Sequence, residues 1–437
     1  MQQRPRRALA ALSYAARRGE FPQKFWQTLV SHWPANVPQR LRWTLAYRLV
    51  RLPTPIVSAL RYYISDWFRQ NLPALAQASS PRALDLWDQM FQHFVAGGAD
   101  ATISSLGDTF IRGVPQHRSR RTHGHALNSP IGRLADVLLG ILRRSNVSAR
   151  AGIPAEIKSR LERAMTAPGE GRDHAISELA VQLTWLHHLD PVWVREQFIP
   201  LFDPTHHDSE PAWNGYAYDN NNAGPELFAL LKPYFLEVFR FTPQWHWDDG
   251  VERHFTKQLV QYCWWHLNDA RYITYSEARK ALQGTDDQGR AHAAWFLGRM
   301  VKDHQCWQLF GKPFLQLAWP RERRCQTPAV SSQLVSVALA SGDDFPDAVQ
   351  TLLLLLVPVE QLDVLLHEMV EDPGRNESRL AEKFPEALLA LLDSTVPHGV
   401  LVSAYGLSSL LTSIATSAPQ LRQDPRWRRL DSIAHRQ

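Results

Sequence analysis

Three of the four residues Arg118-Ser119-Arg120-Arg121 are arginines, and a planar guanidinium carries paired N–H donors that match the oxygens of a phosphate. Arg112 and Arg133 lie close by, and Arg143 and Arg144 follow at the end of the next helical pattern. Arg118, Arg120, Arg121, Arg143 and Arg144 are therefore the candidate anion-binding or nucleic-acid-binding residues. The same residues serve equally as a solvated basic face, or as one side of an internal contact with acidic segments elsewhere in the chain. No recognised DNA- or RNA-binding module accompanies them.

Histidine offers a second chemistry. His187-His188 and His206-His207-Asp208 stand 19 residues apart, and imidazole is a common metal ligand, which gives a metal-dependent hydrolase or nuclease as an alternative reading. Neighbouring helical residues point about 100° apart, so each doublet supplies one ligand at most and no metal site is expected. His117, His123 and His125 sit among arginines that would repel a cation, which favours a structural or anion-facing role. The acid pairs Asp248-Asp249, Asp286-Asp287 and Asp343-Asp344 each precede a helical run, where carboxylates cap free N–H groups and meet the positive end of the helix dipole.

Nucleophile and nucleotide signatures are missing. Cys263, within Tyr262-Cys263-Trp264-Trp265-His266, reads as a small core residue, and Cys306 follows His304 by two, on a different helix face. The sequence has neither phosphate-cradling glycine pattern and no His-Glu-x-x-His, and Gly406-Leu407-Ser408-Ser409-Leu410 lacks the second glycine of a nucleophile elbow. No catalytic residue, cofactor or enzymatic activity is expected. The three cysteines form no short-spaced pair, which points to a reducing, cytoplasmic setting.

The elements that position these residues read as helices throughout. Leu84, Trp87, Phe91 and Phe94 recur every three or four residues, as do Leu227, Leu231, Tyr234 and Val238, and then Phe345, Val349, Leu352 and Leu356. Period-two alternation is almost absent, so no sheet is expected. Pro22, Pro53, Pro81, Pro154, Pro191, Pro225, Pro346 and Pro358 fall near first turns, where a missing N–H costs nothing. The pattern predicts an all-α chain of about twenty helices whose pairs stack as a HEAT-like α-solenoid, because a lone pair cannot cover its own apolar faces. Lys232-Pro233-Tyr234-Phe235-Leu236 recurs in form at Lys312-Pro313-Phe314-Leu315, an offset of two such repeats. Sixteen tryptophans, Trp213, Trp265, Trp295 and Trp307 among them, mostly follow the helical stripes and read as packing mass between layers. Two stretches, 107–130 and 203–225, show no period and read as long polar loops.

Charge divides the 437 residues unevenly. Residues 1–165 hold 24 Lys and Arg against 9 Asp and Glu, a net of +15, and residues 166–437 hold 24 against 34, a net of −10. Such polarity suits an anionic partner or holds the two parts against each other. The expected organisation is a basic helical region, 1–165, followed by an acidic helical-repeat region, 166–437, with the boundary in the glycine-rich 145–172 stretch. The arginine-rich start imitates an organellar transit peptide, but Glu20-Phe21-Pro22 leads straight into another helical pattern and an ordinary basic helix is preferred. The leucine run 352–357 is cut by Pro358 and Glu360, so no membrane span or membrane partner is expected.

Several segments together carry a family resemblance: Arg7-Ala8-Leu9-Ala10-Ala11-Leu12 with Phe25-Trp26, Pro191-Val192-Trp193, Trp213-Asn214-Gly215-Tyr216, Leu317-Ala318-Trp319-Pro320, Phe384-Pro385-Glu386 and Asp424-Pro425-Arg426-Trp427. This pattern resembles the large C-terminal helical (HEAT-like) region of sirtuin-like bacterial anti-phage defence proteins. The resemblance implies a sensing or scaffolding role toward a protein partner, an effector chain or a phage protein. The sirtuin domain itself is missing from the sequence, with no Rossmann glycines and no zinc cysteines, so no catalytic residue carries over. Nucleic acid bound by the basic region is the alternative partner.

Overall fold

Helices dominate the computed structural model, which describes residues 4–108, 110–218, 223–247, 250–267, 269–360, 366, 378–398 and 406–435. The chain is all-α, as its periodicity predicts. Of the eight prolines expected at helix starts, all but Pro358 stand at or next to the first residue of a helix. The two stretches expected as long loops depart from that expectation: 203–225 holds the buried helix Ser209–Tyr218, and 107–130 holds the short helix His123–Leu127 and a hairpin. Phe110–Ile111 pairs antiparallel with Val114–Pro115, and Arg112 and Gly113 both take positive φ, the two-residue turn that matches the twist of a hairpin. No helix among the described residues is long and apolar enough to cross a membrane.

The chain divides into two compact units, Met1–Tyr234 with Gln244–Val251, and Phe235–Pro243 with Glu252–Gln437. This corrects the boundary expected at 145–172. The acidic helices Glu170–Val181 and Ser209–Tyr218 pack within the first unit, because their carboxylates answer the arginines of that unit.

In the first unit the Pro130–Arg144 helix is the centre, buried from Pro130 to Leu142 except at Arg133 and Asp136. It is packed by Arg61–Ala76, Ser80–Ala96 and Glu170–Val181. Ser129 caps it by accepting from the Gly132 N–H at 2.9 Å. The Leu84, Trp87, Phe91 and Phe94 stripe is wholly buried against it, and the Trp87 indole N–H donates to the Leu134 carbonyl at 2.8 Å. A buried indole usually finds such a partner for its one polar atom. The Ser209–Tyr218 helix crosses Glu170–Val181 so closely that a Cβ on Gly215 would lie 2.1 Å from the Ser177 carbonyl oxygen.

In the second unit packing runs between sequence neighbours: Asp287–His304 on Pro328–Ala340, then Phe345–Leu352, then Pro385–Thr395, which meets Leu407–Ser417 and Pro425–Ala434. Thr274 and Glu277 form a reciprocal capping box, and Asp286 accepts from the Gly289 N–H at 2.8 Å, as the acid pair predicts. Asp343 and Asp344 do not cap: Asp343 pairs with Lys383 and Asp344 accepts from Gln308. Asp248 and Asp249 lie outside the described residues. Pro313 stands between two widened π turns, Trp307–Gly311 and Phe314–Ala318, since proline cannot donate an N–H and its ring crowds the preceding turn.

The close crossing at Gly215 gives a direct test of the first unit. Gly215→Ala is expected to lower stability in urea by at least about 2 kcal/mol through overpacking. Gly107→Ala, with open space at its Cβ, changes it by less than about 0.5 kcal/mol. Equal stabilities for the two variants would show that the helices do not approach this closely.

Candidate functional site

The hairpin hands the chain directly to the arginine stretch, and Thr122 then caps the short His123–Leu127 helix by accepting from the His125 N–H. Between these two anchors the backbone is pinned by the Ser119 N–H, which donates to the His246 carbonyl at 3.2 Å. The three arginines emerge from this fixed segment toward acids and carbonyls of the same unit.

Arg118 donates to the Trp247 carbonyl at 2.7 Å. Arg120 meets Glu170 at 2.5 Å and also donates to the Leu106 carbonyl at 3.0 Å. Glu170 in turn accepts from the Ser104 N–H at 3.0 Å. Arg121 is the bridge: it grips Asp173 with two bonds of 2.9 Å, reaches Glu210 at 3.3 Å, and donates to the His207 carbonyl at 2.7 Å. Glu210 further accepts from the Ser119 hydroxyl at 2.5 Å and the Trp247 indole at 3.2 Å. Burial raises the Glu210 carboxyl above its ordinary range despite those donors and the Arg121 charge. The guanidinium fork that suits phosphate suits a carboxylate equally, and here it is answered by protein carboxylates.

The other two candidates have different partners. Arg143 is exposed, stacks over the Trp185 ring at 5.3 Å and reaches Asp136 at 4.0 Å. Arg144 is exposed and donates to its own helix at the Gly140 carbonyl. The five candidates therefore do not share one common partner.

Behind the arginines lies a buried histidine–carboxyl cluster. His123 Nδ1 stands 3.5 Å from Glu178 Oε2, and the His123 N–H donates to Asn214 at 2.7 Å. His174 Nε2 bonds the Arg120 carbonyl at 3.1 Å, which assigns the proton to that nitrogen, and its ring lies parallel to that of His125. Burial dominates the protonation of all three groups. It lowers His123 and His174 to about 4 and raises Glu178 to about 8, with Asp136 adding to the last. At neutral pH the cluster is a carboxylic acid beside uncharged imidazoles. Both members of the His123–Glu178 pair are almost fully enclosed, so the arrangement holds a proton within the core and offers no face to a substrate.

The remaining candidates fall as follows. His206 and His207 flank Asp208, with His207 Nδ1 at 2.6 Å, and Arg172 closes on the same carboxylate. Among the described residues no three His, Cys, Asp or Glu side chains converge as a metal-binding group. Cys263 is buried and its thiol is pushed up by burial, and burial likewise raises Cys306. Glu170, Asp173, Glu210 and Trp247 are the functional neighbours that no short motif reveals, since they join the loop across 50 to 129 residues.

No family model matches the chain, and no solved structure matches it. Over 173 residues it is 27% identical to a protein of Sinorhizobium fredii (strain NBRC 101917 / NGR234) described as "Uncharacterized protein y4cA". That match covers 38% of this chain and 14% of the other protein.

Two outcomes follow from this geometry. Arg121→Ala leaves the Asp173 and Glu210 carboxylates buried without their shared cation, and is expected to cost about 2 kcal/mol or more, reduced from the fully buried case by the arginine's partial exposure. Arg112→Ala on the exposed hairpin turn costs less than about 0.5 kcal/mol. Glu178 has a folded pKa above its unfolded value, so its contribution is intact below about 4.5 and is lost as pH rises toward about 8. His123 and His174 act oppositely: their contribution is intact above 6.5 and is lost as pH falls toward about 4. Between pH 6.5 and 8 Glu178 opposes the remaining histidine contribution: it lowers stability as pH rises by up to about 1.4 kcal/mol per pH unit relative to a variant without it. Thermal melts of Glu178→Gln across that window should lack this slope; an unchanged slope would remove Glu178 as its source.

Proposed function

We propose that this chain is a non-catalytic, stacked-helix scaffold or sensor that binds a protein partner, an effector chain or a phage protein, in bacterial anti-phage defence. The observation that carries the reading is a set of large apolar side chains held in solvent on neighbouring elements of the second unit. Leu309 is 63% exposed, Leu317 52% and Leu354 82%. They stand on Trp307–Gly311, on Phe314–Ala318 and just beyond Phe345–Leu352, elements that pack against one another. Single exposed leucines are ordinary, whereas a recurrent set on contiguous elements supports a contact surface. The family resemblance supplies the defence context.

Nucleic acid held by the basic region has weaker support, because the guanidinium groups of Arg120 and Arg121 already hold Glu170, Asp173 and Glu210. The protein-partner reading is tested by affinity capture of the tagged chain from phage-infected bacteria. One defined partner is expected in stoichiometric amount from the native chain and absent with Leu317→Asp plus Leu354→Asp. A partnerless monomer in infected cells would refute it.

A further inference from the structure

Within the second unit, Arg253, Lys257, Gln261 and Trp265 recur every four residues along Val251–Trp265, so they form one stripe on that helix. His292, Trp295 and Arg299 form a second stripe on Asp287–His304. The two stripes line a cavity of about 350 Å³, with Met300 and Phe296 among its walls, and a neighbouring one of about 260 Å³; Trp295 borders both. The larger volume falls within the range of roughly 300–1,000 Å³ usual for small-molecule sites.

The lining combines two chemistries. Trp265 is 50% exposed and Trp295 42%, against the almost complete burial of Trp26, Trp67, Trp87, Trp213, Trp307 and Trp319. These two tryptophans therefore depart from the packing role that the sequence suggests for the set. Cations accompany them: Arg299 lies over the Trp295 ring at 5.4 Å, and the Lys257 ammonium lies 5.9 Å from the centre of Phe296. Arg253 lines the smaller cavity. The acid in the larger cavity, Asp303, sits beside Arg299 at 3.8 Å and leaves the lining net positive.

His292 completes the site. Its ring stacks on Trp295 with centroids 5.3 Å apart and 28° between planes. The Thr256 hydroxyl donates to the Arg253 carbonyl, so it accepts from His292 Nδ1–H at 2.9 Å and leaves Nε2 as an acceptor. Burial first, then the neighbouring Arg253, His254 and Lys257, lowers this imidazole to about 4, which keeps it neutral.

We propose that this aromatic and cationic cavity between the two helices is a nucleotide-binding site, in which a base stacks on Trp295 and Trp265 and a phosphate is held by Lys257, Arg253 and Arg299. Flat faces with interleaved cations fit a ligand that is both planar and anionic. A cationic ligand would be repelled, and a purely aliphatic one would make no use of the net positive lining. A free nucleotide and a nucleotide within a single strand present the same chemistry.

The test is titration of the full chain with ADP by calorimetry, and with a labelled oligothymidylate by fluorescence anisotropy. Binding of at least one probe is expected, weakening with added salt. Trp295→Ala should weaken it about tenfold or more, while Trp295→Phe retains most of it. Lys257→Ala with Arg299→Ala should weaken it at least as much and flatten the salt dependence. Binding of ADP alone assigns a free nucleotide, and stronger binding of the oligonucleotide assigns a single strand. The proposal fails if neither probe binds at millimolar concentration, if binding is indifferent to both Trp265→Ala and Trp295→Ala, or if polyglutamate binds as tightly as either probe.

Discussion

A buried carboxylate must meet a cation or give up its charge, and this constraint organises the first unit. Asp173 and Glu210 come from two helices far apart in sequence, and Arg121 serves both. Its bidentate grip on Asp173 and the grip of adjacent Arg120 on Glu170 fasten the loop to the first turn of one helix. The acidic helices are thereby drawn into the unit that carries the arginines. Glu178 shows the other resolution of the same constraint. With no cation close enough to hold it ionised, it takes up a proton and rests against a neutral His123.

Much of the fold is legible in the chain. The stripe of Leu84, Trp87, Phe91 and Phe94 says helix and says which face is buried, since helical periodicity is a local property. Proline at first turns and the Asp286 cap are legible for the same reason. What fails is whatever depends on distant pairing. Charge composition places a boundary near residue 165, yet compactness follows contacts, and opposite charge attracts the acidic helices into the first unit instead of marking a seam. Asp343 and Asp344 have the composition of a cap, but Lys383 and Gln308 claim them. The hairpin rests on four residues, too few for any alternation to register.

The candidate site was half legible. Guanidinium-rich loops fit phosphate and carboxylate alike, so residue types alone left an anionic partner and an internal contact both standing; the deciding residues, Glu170, Asp173 and Glu210, carry no motif. The aromatic cavity of the second unit is legible only on one side. Arg253, Lys257, Gln261 and Trp265 repeat every four residues, but their meaning appears once Trp295 and Arg299 of another helix face them. Thus Arg120 and Arg121 bind the first unit together, while Arg299 in the second borders a part-exposed tryptophan ring.

The account rests on Arg121 and Asp173 stabilising the fold through each other. A double-mutant cycle of Arg121→Ala and Asp173→Asn, followed by urea unfolding, measures that coupling with no ligand or partner involved. The account predicts a coupling of about 1–3 kcal/mol, with the double variant no less stable than the sum of the single losses implies and closer to the single arginine variant. Additivity within about 0.3 kcal/mol would contradict it, and would return the arginine loop to the solvent.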